Sequence, residues 1–282
     1  MKICSTIREA RAAYGAALIR GRLGLVPTMG ALHQGHLSLV RSAHSQCHVV
    51  AVSIFVNPTQ FGPTEDLSKY PRQFERDCRL LEQEGVDLLF APSVEEIYPR
   101  ANEAVTWIVV EGLSEKLDGR SRPGHFQGVT TIVAKLFNII QPEAAFFGQK
   151  DAAQLAIIRR MVRDLNLPVE IVACPIVREP DGLAMSSRNA YLSREERVHA
   201  LVLHEALLHV ERRFQAGVRT AAALISAAKE VFVRQPHVLL DYCEIVHPDT
   251  LDPVERISQE TLVAVAAYVG STRLIDNLLL NP

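Results

Sequence analysis

No run of apolar residues in this 282-residue chain reaches the ~18 that a membrane-spanning helix needs. The longest apolar stretches, Leu262–Val269 and the interrupted Ile132–Ile140, suit core elements instead. Paired cysteines are missing as well. Cys4, Cys47, Cys78, Cys174 and Cys243 stand singly, with no C-x-x-C, and an odd number cannot all pair within one chain. They read as reduced, mostly buried thiols in a cytoplasmic protein. Neither charge is in excess: 30 basic and 32 acidic residues leave a net charge of −2. That excludes a generally basic nucleic-acid wrapper. There is no internal repeat, no low-complexity tract and no signal-peptide-like apolar segment. Arg8, Arg11, Arg20 and Arg22 lend the first residues a transit-peptide flavour, but Glu9 interrupts it and a strand begins near Gly24. A first structural helix is the expectation. What is present is ordinary globular composition, 48% hydrophobic and 22% charged, in a chain long enough to bury a core without staples.

Strand-like and helical patterns alternate over the first 175 residues. Leu23–Pro27, Val49–Val56, Val86–Phe90, Val105–Val110, Glu143–Phe147 and Val169–Val177 read as strands. His36–Gln46, Gln73–Glu84, Val129–Ile140 and Ala152–Leu165 read as helices, with Gly85 and Pro142 as stop signals. Strands alternating with helices of roughly 10–15 residues predict an α/β fold with a doubly wound parallel sheet. After Arg178 the pattern changes. Arg194–Gln215 and Ala221–Arg234 read as helices, followed by strands Leu240–Val246 and Leu262–Val269 and a short one at Arg273–Asp276. This predicts a smaller α+β domain, with 1–176 as the first unit and 177–282 as the second. Ligands of doubly wound sheets sit beyond the carboxyl ends of strands, so the loops after Pro27, Val56, Phe147 and Val177 are the places to look.

The sharpest local signal follows the first strand of that set: Met29-Gly30-Ala31-Leu32-His33-Gln34-Gly35-His36. Two glycines allow close backbone approach to a bulky anion. The helix opening near Gly35 offers free N–H groups and a positive dipole end for phosphate. His33 and His36, three apart, share one helical face. Two histidines also occur in zinc sites, but no third ligand stands nearby at metal spacing.

H-x-G-H after a first strand resembles the adenylate-forming nucleotidyltransferase superfamily, which includes class I aminoacyl-tRNA synthetases. Five further segments narrow it. They are Val52–Phe61 with Asn57 and Gln60, Arg122–Val129, Gly148-Gln149-Lys150-Asp151 with Gln154 one turn on, Asp181–Asn189 with Met185-Ser186-Ser187-Arg188, and Arg273–Asn277. In this order they resemble the pantoate–β-alanine ligase family from end to end.

The resemblance implies a Rossmann-like catalytic domain binding ATP and pantoate, with the second domain closing over the site. It implies ATP-dependent condensation of pantoate with β-alanine through a pantoyl adenylate, releasing AMP and pyrophosphate. His36, His33 and Lys150 are the expected catalytic residues. Met29 to His36, Gly148 to Asp151, Val177 and Met185 to Arg188 are the expected nucleotide contacts, and Asp151 is matched to the ribose. Gln60 and Gln154 are matched to pantoate; Asn57 is expected near the reacting carboxylate, and Arg122, His125 and Gln127 sit in a loop expected either to reach the second substrate or to close the site. Mg²⁺ is expected with ATP, held mainly by phosphate oxygens, and Asp77 is one candidate outer carboxylate. Polar Gly62–Tyr70 reads as a loop able to shelter the adenylate. A homodimer is implied, without nucleic-acid or membrane partners. The family often has Gly-Glu-Lys-Asp where this chain has Gly148-Gln149-Lys150-Asp151; the lysine is retained.

Two other readings remain. A nucleotidyltransferase passing AMP to a small phosphorylated acceptor would need extra cations for that phosphate. An inactive nucleotide-binding regulator would have no use for His33, His36, Lys150 and Ser186–Arg188 together.

Overall fold

The strands of the first half are apolar on both faces because both faces are covered. Leu23, Leu25, Val49, Ala51 and Phe90 belong to one apolar cluster, while Val26, Val50, Val52 and Leu89 belong to another on the opposite side. The structure is a computed structural model that describes residues 1–18, 21–63, 65–99 and 106–282. Its strands are β1 (Lys2–Cys4), β2 (Leu23–Thr28), β3 (Val49–Ile54), β4 (Leu88–Phe90), β5 (Ala144–Gly148), β6 (Glu170–Cys174), β7 (Val238–Val246), β8 (Thr261–Val269) and β9 (Thr272–Leu280). Its helices are α1 (Ile7–Leu18), α2 (Gln34–His44), α3 (Phe74–Gln83), α4 (Val94–Ile97), α5 (Asp118–Ser121), α6 (His125–Ile140), α7 (Ala152–Asp164), α8 (Arg194–His199), α9 (Val202–Gln215) and α10 (Ala221–Val233). No helix among the described residues is long and apolar enough to cross a membrane.

Six strands form one parallel sheet in the order β1-β4-β3-β2-β5-β6. Helices α1, α6 and α7 contribute to the apolar cluster on one face; α2 and α3 contribute to that on the other. The order reverses at β2 and β5, which opens a crevice beyond their carboxyl ends. Strands β7, β8 and β9 make a separate antiparallel sheet. Every residue of β8 except Tyr268 is buried. Leu262, Ala264 and Ala266 join the cluster of α6 and α7, while Val263, Val265, Ala267 and Val269 lie under α9 and α10. Strand alternation thus makes β8 a wall shared between both halves of the chain.

Four expectations change. Residues 106–110 are irregular rather than a strand, because threonines of α6 take the backbone groups: Ile108 N–H donates to Thr131 Oγ1 at 3.1 Å, and Thr130 Oγ1 donates to Ile108 C=O at 2.5 Å. Val105 and Arg20 lie outside the described residues. β6 stops at Cys174, before Pro175, which has no N–H for a ladder. The helix expected over Arg194–Gln215 breaks into α8 and α9, where Leu203 N–H bonds Ala200 C=O in a tightened turn. The short strand at Arg273–Asp276 is the middle of β9.

α6 lies so close to the 3-10 turn Pro58–Gln60 that a Cβ on Gly128 would meet Thr59 O at 2.4 Å and Gln60 N at 2.6 Å. Backbone, not a flexible side chain, stands in the way. Gly128→Ala is expected to lose about 1–3 kcal/mol of stability through overpacking. Urea unfolding measures it, and an unchanged midpoint would show that the turn gives way freely.

Candidate active site

The loop leaving β2 is bent where L-residues resist bending. Gly30 has φ 78° and Ala31 has φ 51°. Asp77 of α3, 1% exposed, holds that bend: Ala31 N–H donates to its Oδ2 at 2.8 Å and Leu32 N–H to its Oδ1 at 2.9 Å. Both carboxylate oxygens are therefore committed to the loop. This differs from the outer-shell role considered for Asp77, and no sequence spacing announces it.

His33 caps α2. Its Nδ1 accepts from Gly35 N–H at 3.1 Å, and a Cβ on Gly35 would press on that ring at 2.9 Å. His36 Nδ1 accepts from His33 N–H at 3.3 Å. Both Nδ1 lone pairs are thus occupied by backbone donors, which assigns the ring proton of each to Nε2. The ring centroids are 4.1 Å apart. Burial first, then the charge of Lys150, pushes the His33 pKa down to about 4. Burial, then His33, then Lys150 pushes that of His36 down to about 3. At neutral pH the pair consists of uncharged rings, each with one N–H free to donate.

Gln60 is positioned by Asn57. Asn57 Nδ2 donates to Gln60 Oε1 and to Gly128 C=O, each at 3.1 Å, while its Oδ1 accepts from Thr59 Oγ1 at 2.9 Å and Tyr98 OH at 3.1 Å. Asn57, 1% exposed, has its hydrogen-bonding capacity filled from within and serves as the mount for Gln60. His125 Nδ1 lies 2.8 Å from Gln60 C=O, and its Nε2 lies 3.0 Å from Arg122 Nη1. Burial, then the Arg122 charge, pushes the His125 pKa down to about 4. A neutral ring that donates from Nδ1 and accepts from Arg122 satisfies both contacts.

A cavity of about 240 Å³ lies beyond the carboxyl ends of β2 and β5. Met29, His33, Gly35, His36, Asn57, Gln60, Arg122, Gly148, Lys150, Asp151, Gln154, Val177 and Met185 to Arg188 all line it. Gly30, Ala31, Leu32, Gln34 and Gln149 do not. Ala31 and Leu32 are buried in the Asp77 clamp, Gln34 turns outward to Arg41, and the Gln149 amide faces Asn277. Gln127 is also absent from the wall, and His125 is on it. Val129, Ile132 and Val133 of α6 form an apolar side that sequence motifs did not single out. Asp66 holds Arg188 with two bonds of 3.0 Å, and Glu65 holds Arg122 with two of 2.7 Å. Among the described residues no group of three or more His, Cys, Asp or Glu is placed to hold a metal ion.

A profile of the family described as Pantoate-beta-alanine ligase matches residues 2–279. This chain belongs to the pantoate-beta-alanine ligase family. The pantothenate synthetase of Koribacter versatilis is 57% identical over 281 residues, 99% of this chain and 96% of that protein. The crystal structure of pantothenate synthetase from Thermus thermophilus superposes with a TM-score of 0.95 at 50% identity, covering 100% of both chains. The pantoate-beta-alanine ligase of Francisella tularensis, complexed with beta-gamma ATP and beta-alanine, gives 0.81 at 34% identity, over 99% of this chain and 97% of that one.

For this family member the neutral rings carry a stability signature. An unfolded histidine takes up its proton near pH 6.5, whereas His33, His36 and His125 refuse theirs until about 3–4. Their contribution is complete above pH 6.5 and falls as pH drops toward 4, by an upper figure of about 2 kcal/mol per ring at pH 5. The urea midpoint is expected to fall between pH 7.5 and pH 5, and to fall less in His125→Gln. Equal pH dependence in the two proteins would place a charged ring in the folded state.

Proposed function

We propose that this chain joins (R)-pantoate to β-alanine with cleavage of ATP. The pantoate carboxylate attacks the α-phosphorus and pyrophosphate leaves. The amine of β-alanine then attacks the resulting acyl adenylate, forming the amide bond of pantothenate, and AMP leaves with the anhydride oxygen. Family membership across the chain supports this reading, as does a relative whose structure holds beta-gamma ATP and beta-alanine. The observation that carries it is the convergence of His33, His36, Lys150, Gln60 and Gln154 on one cavity.

In this reading the Nε2–H groups of His33 and His36 donate to phosphate oxygens, and most strongly as charge gathers at phosphorus. Lys150 supplies a mobile point charge for the α- and β-phosphates. Ser186 and Ser187 complete the phosphate cradle, and Arg188, paired with Asp66, stands beside it as a part-neutralised donor. Met29, Gly148, Asp151, Val177 and Met185 frame the nucleotide, with Asp151 accepting from ribose hydroxyls. Gln60 and Gln154 each donate and accept, which suits a substrate with two hydroxyls and a carboxylate. Apolar Val129, Ile132 and Val133 suit its carbon skeleton. Arg122 is assigned to the second substrate.

Mg²⁺ is expected to arrive on the triphosphate and to neutralise part of its charge. We further assign residues 1–176 to the ATP- and pantoate-binding unit and 177–282 to a unit that closes over the site through Met185–Arg188. A cytoplasmic location fits five unpaired thiols, four of them buried. A homodimer fits the exposed Trp107 and Val109, 40% and 51% accessible, on a segment of strand-forming residues. An AMP-transferring reading with a phosphorylated acceptor is disfavoured, because Gln60 and Gln154 offer neutral polar groups on the wall, which suit a small hydroxy acid better than an acceptor phosphate.

The test is incubation with ATP, Mg²⁺, pantoate and β-alanine, with mass detection of pantothenate and AMP. AMP release that ignored either carbon substrate would overturn the assignment. His36→Ala is expected to keep its fold and lose on the order of 10²–10³ in adenylate formation, the usual loss of one transition-state donor. An unchanged rate would remove His36 from the chemistry. Gln154→Ala is expected to weaken pantoate use by about 0.5–1.5 kcal/mol, with ATP binding little altered. Weakened ATP binding at constant pantoate affinity would move Gln154 to the nucleotide.

A further inference from the structure

We propose that Asn277, on the small antiparallel sheet, is a positioning residue for Lys150. The proposal rests on the reading of Lys150 as the phosphate-binding cation.

Alternation along β9 puts Ile275, Asn277 and Leu279 on the face toward α6 and α7, and Leu274, Leu278 and Leu280 on the face toward α9 and α10. Asn277 is the polar member of the first set and is 3% exposed. Its Nδ2 donates to Gln149 C=O and to Lys150 C=O, each at 2.9 Å. Its Oδ1 accepts from Gln149 Nε2 at 3.4 Å. A carboxamide has two N–H groups, and here each serves a different carbonyl. Those carbonyls belong to the two peptide units that flank the Lys150 α-carbon. Holding both planes fixes the two soft torsions of Lys150 itself. The four-carbon stem then sweeps from a fixed root, and the ammonium is confined to a smaller volume beside the histidine pair.

The mount is itself braced. Asn277 N–H donates to Asp276 Oδ1 at 2.8 Å. Arg178 grips Asp276 with bonds of 2.6 and 3.0 Å and also reaches Gly182 C=O at 3.1 Å. A residue one hundred and more positions distant from Lys150 therefore sets its backbone, through side chains that do not line the cavity.

A purely structural amide would stabilise the sheet contact and leave Lys150 indifferent. A double-mutant cycle separates the two roles. Asn277→Ala and the milder Asn277→Ser, which keeps one donor, are each made with Lys150 intact and with Lys150→Ala. Single-turnover pantoyl adenylate formation, KM for ATP and thermal melting are read for every protein. With Lys150 present, Asn277→Ala is expected to slow adenylate formation on the order of tenfold and Asn277→Ser less. With Lys150→Ala the same changes are expected to cost less than about twofold, since groups acting as a unit are not additive. Equal losses in both backgrounds would overturn the proposal and leave the role of Lys150 standing. A Lys150→Ala enzyme that forms adenylate at the parental rate would overturn both.

Discussion

One buried carboxylate holds the loop from which the site is built. A left-handed backbone costs a non-glycine residue about 1–2 kcal/mol, and Ala31 bears that cost. Two amide bonds to a charged acceptor contribute about 1.5–3 kcal/mol each, so the Asp77 clamp outweighs the strain. The carboxylate needs those amides as much as they need it: its nearest cation, Arg76 Nη1, is 3.9 Å away. Because Asp77 sits in the first turn of α3, the packing of that helix on the sheet fixes where Leu32 ends and His33 begins. From there the cap of α2 follows, then the tautomers, then the direction of the two Nε2–H donors.

A second dependence runs through β8. Its two faces serve different cores, so the small sheet is bonded to the large one by apolar packing of Leu262, Ala264 and Ala266. Apolar interfaces of this kind resist sliding, unlike the more polar contacts typical between mobile domains. Polar bonds also cross between the two halves, among them Ser187 Oγ to Ala31 C=O at 3.2 Å, Arg188 to Asp66, Arg273 to Asp118, Lys116 to Asp252, Ser121 to Asp241, and the Asn277 amide to Gln149 and Lys150. Ser187, Arg188 and Lys150 among these stand on the cavity wall.

What the sequence made legible has a physical pattern. The doubly wound sheet could be read because strands buried on both faces are continuous apolar runs, and helices covering them repeat at 3.6. The histidine pair, Lys150 and the glutamines could be read because motif residues stay close to strand ends, where a parallel sheet gathers its ligands. Residues 106–110 misled because strand-forming side chains say nothing of which partner takes the backbone, and here threonine hydroxyls do. Asp77, Glu65 and Asp66 were invisible in role, since a lone acidic residue in a polar stretch reads the same whether it faces water or clamps a loop. For Asn57 the motif gives the address, and only the count of its filled hydrogen bonds shows that it holds Gln60.

On the reading proposed for this cavity, its charges explain how a phosphate site avoids holding its product. Arg122 and Arg188 look like anion receptors, yet Glu65 and Asp66 neutralise them through paired bonds. The two histidines are uncharged, because burial and Lys150 oppose a proton on either. Lys150 is left as the cation on the wall that no carboxylate side chain among the described residues bonds. On the proposed reading, a cradle of neutral N–H donors and one mobile cation keeps its strongest bonds for the oxygens on which charge develops in the transition state. Uniform cationic grip would bind ATP and pyrophosphate alike and would add nothing to the rate. On that same reading, pairing the arginines with carboxylates leaves the step in which charge gathers at phosphorus favoured over the states on either side of it.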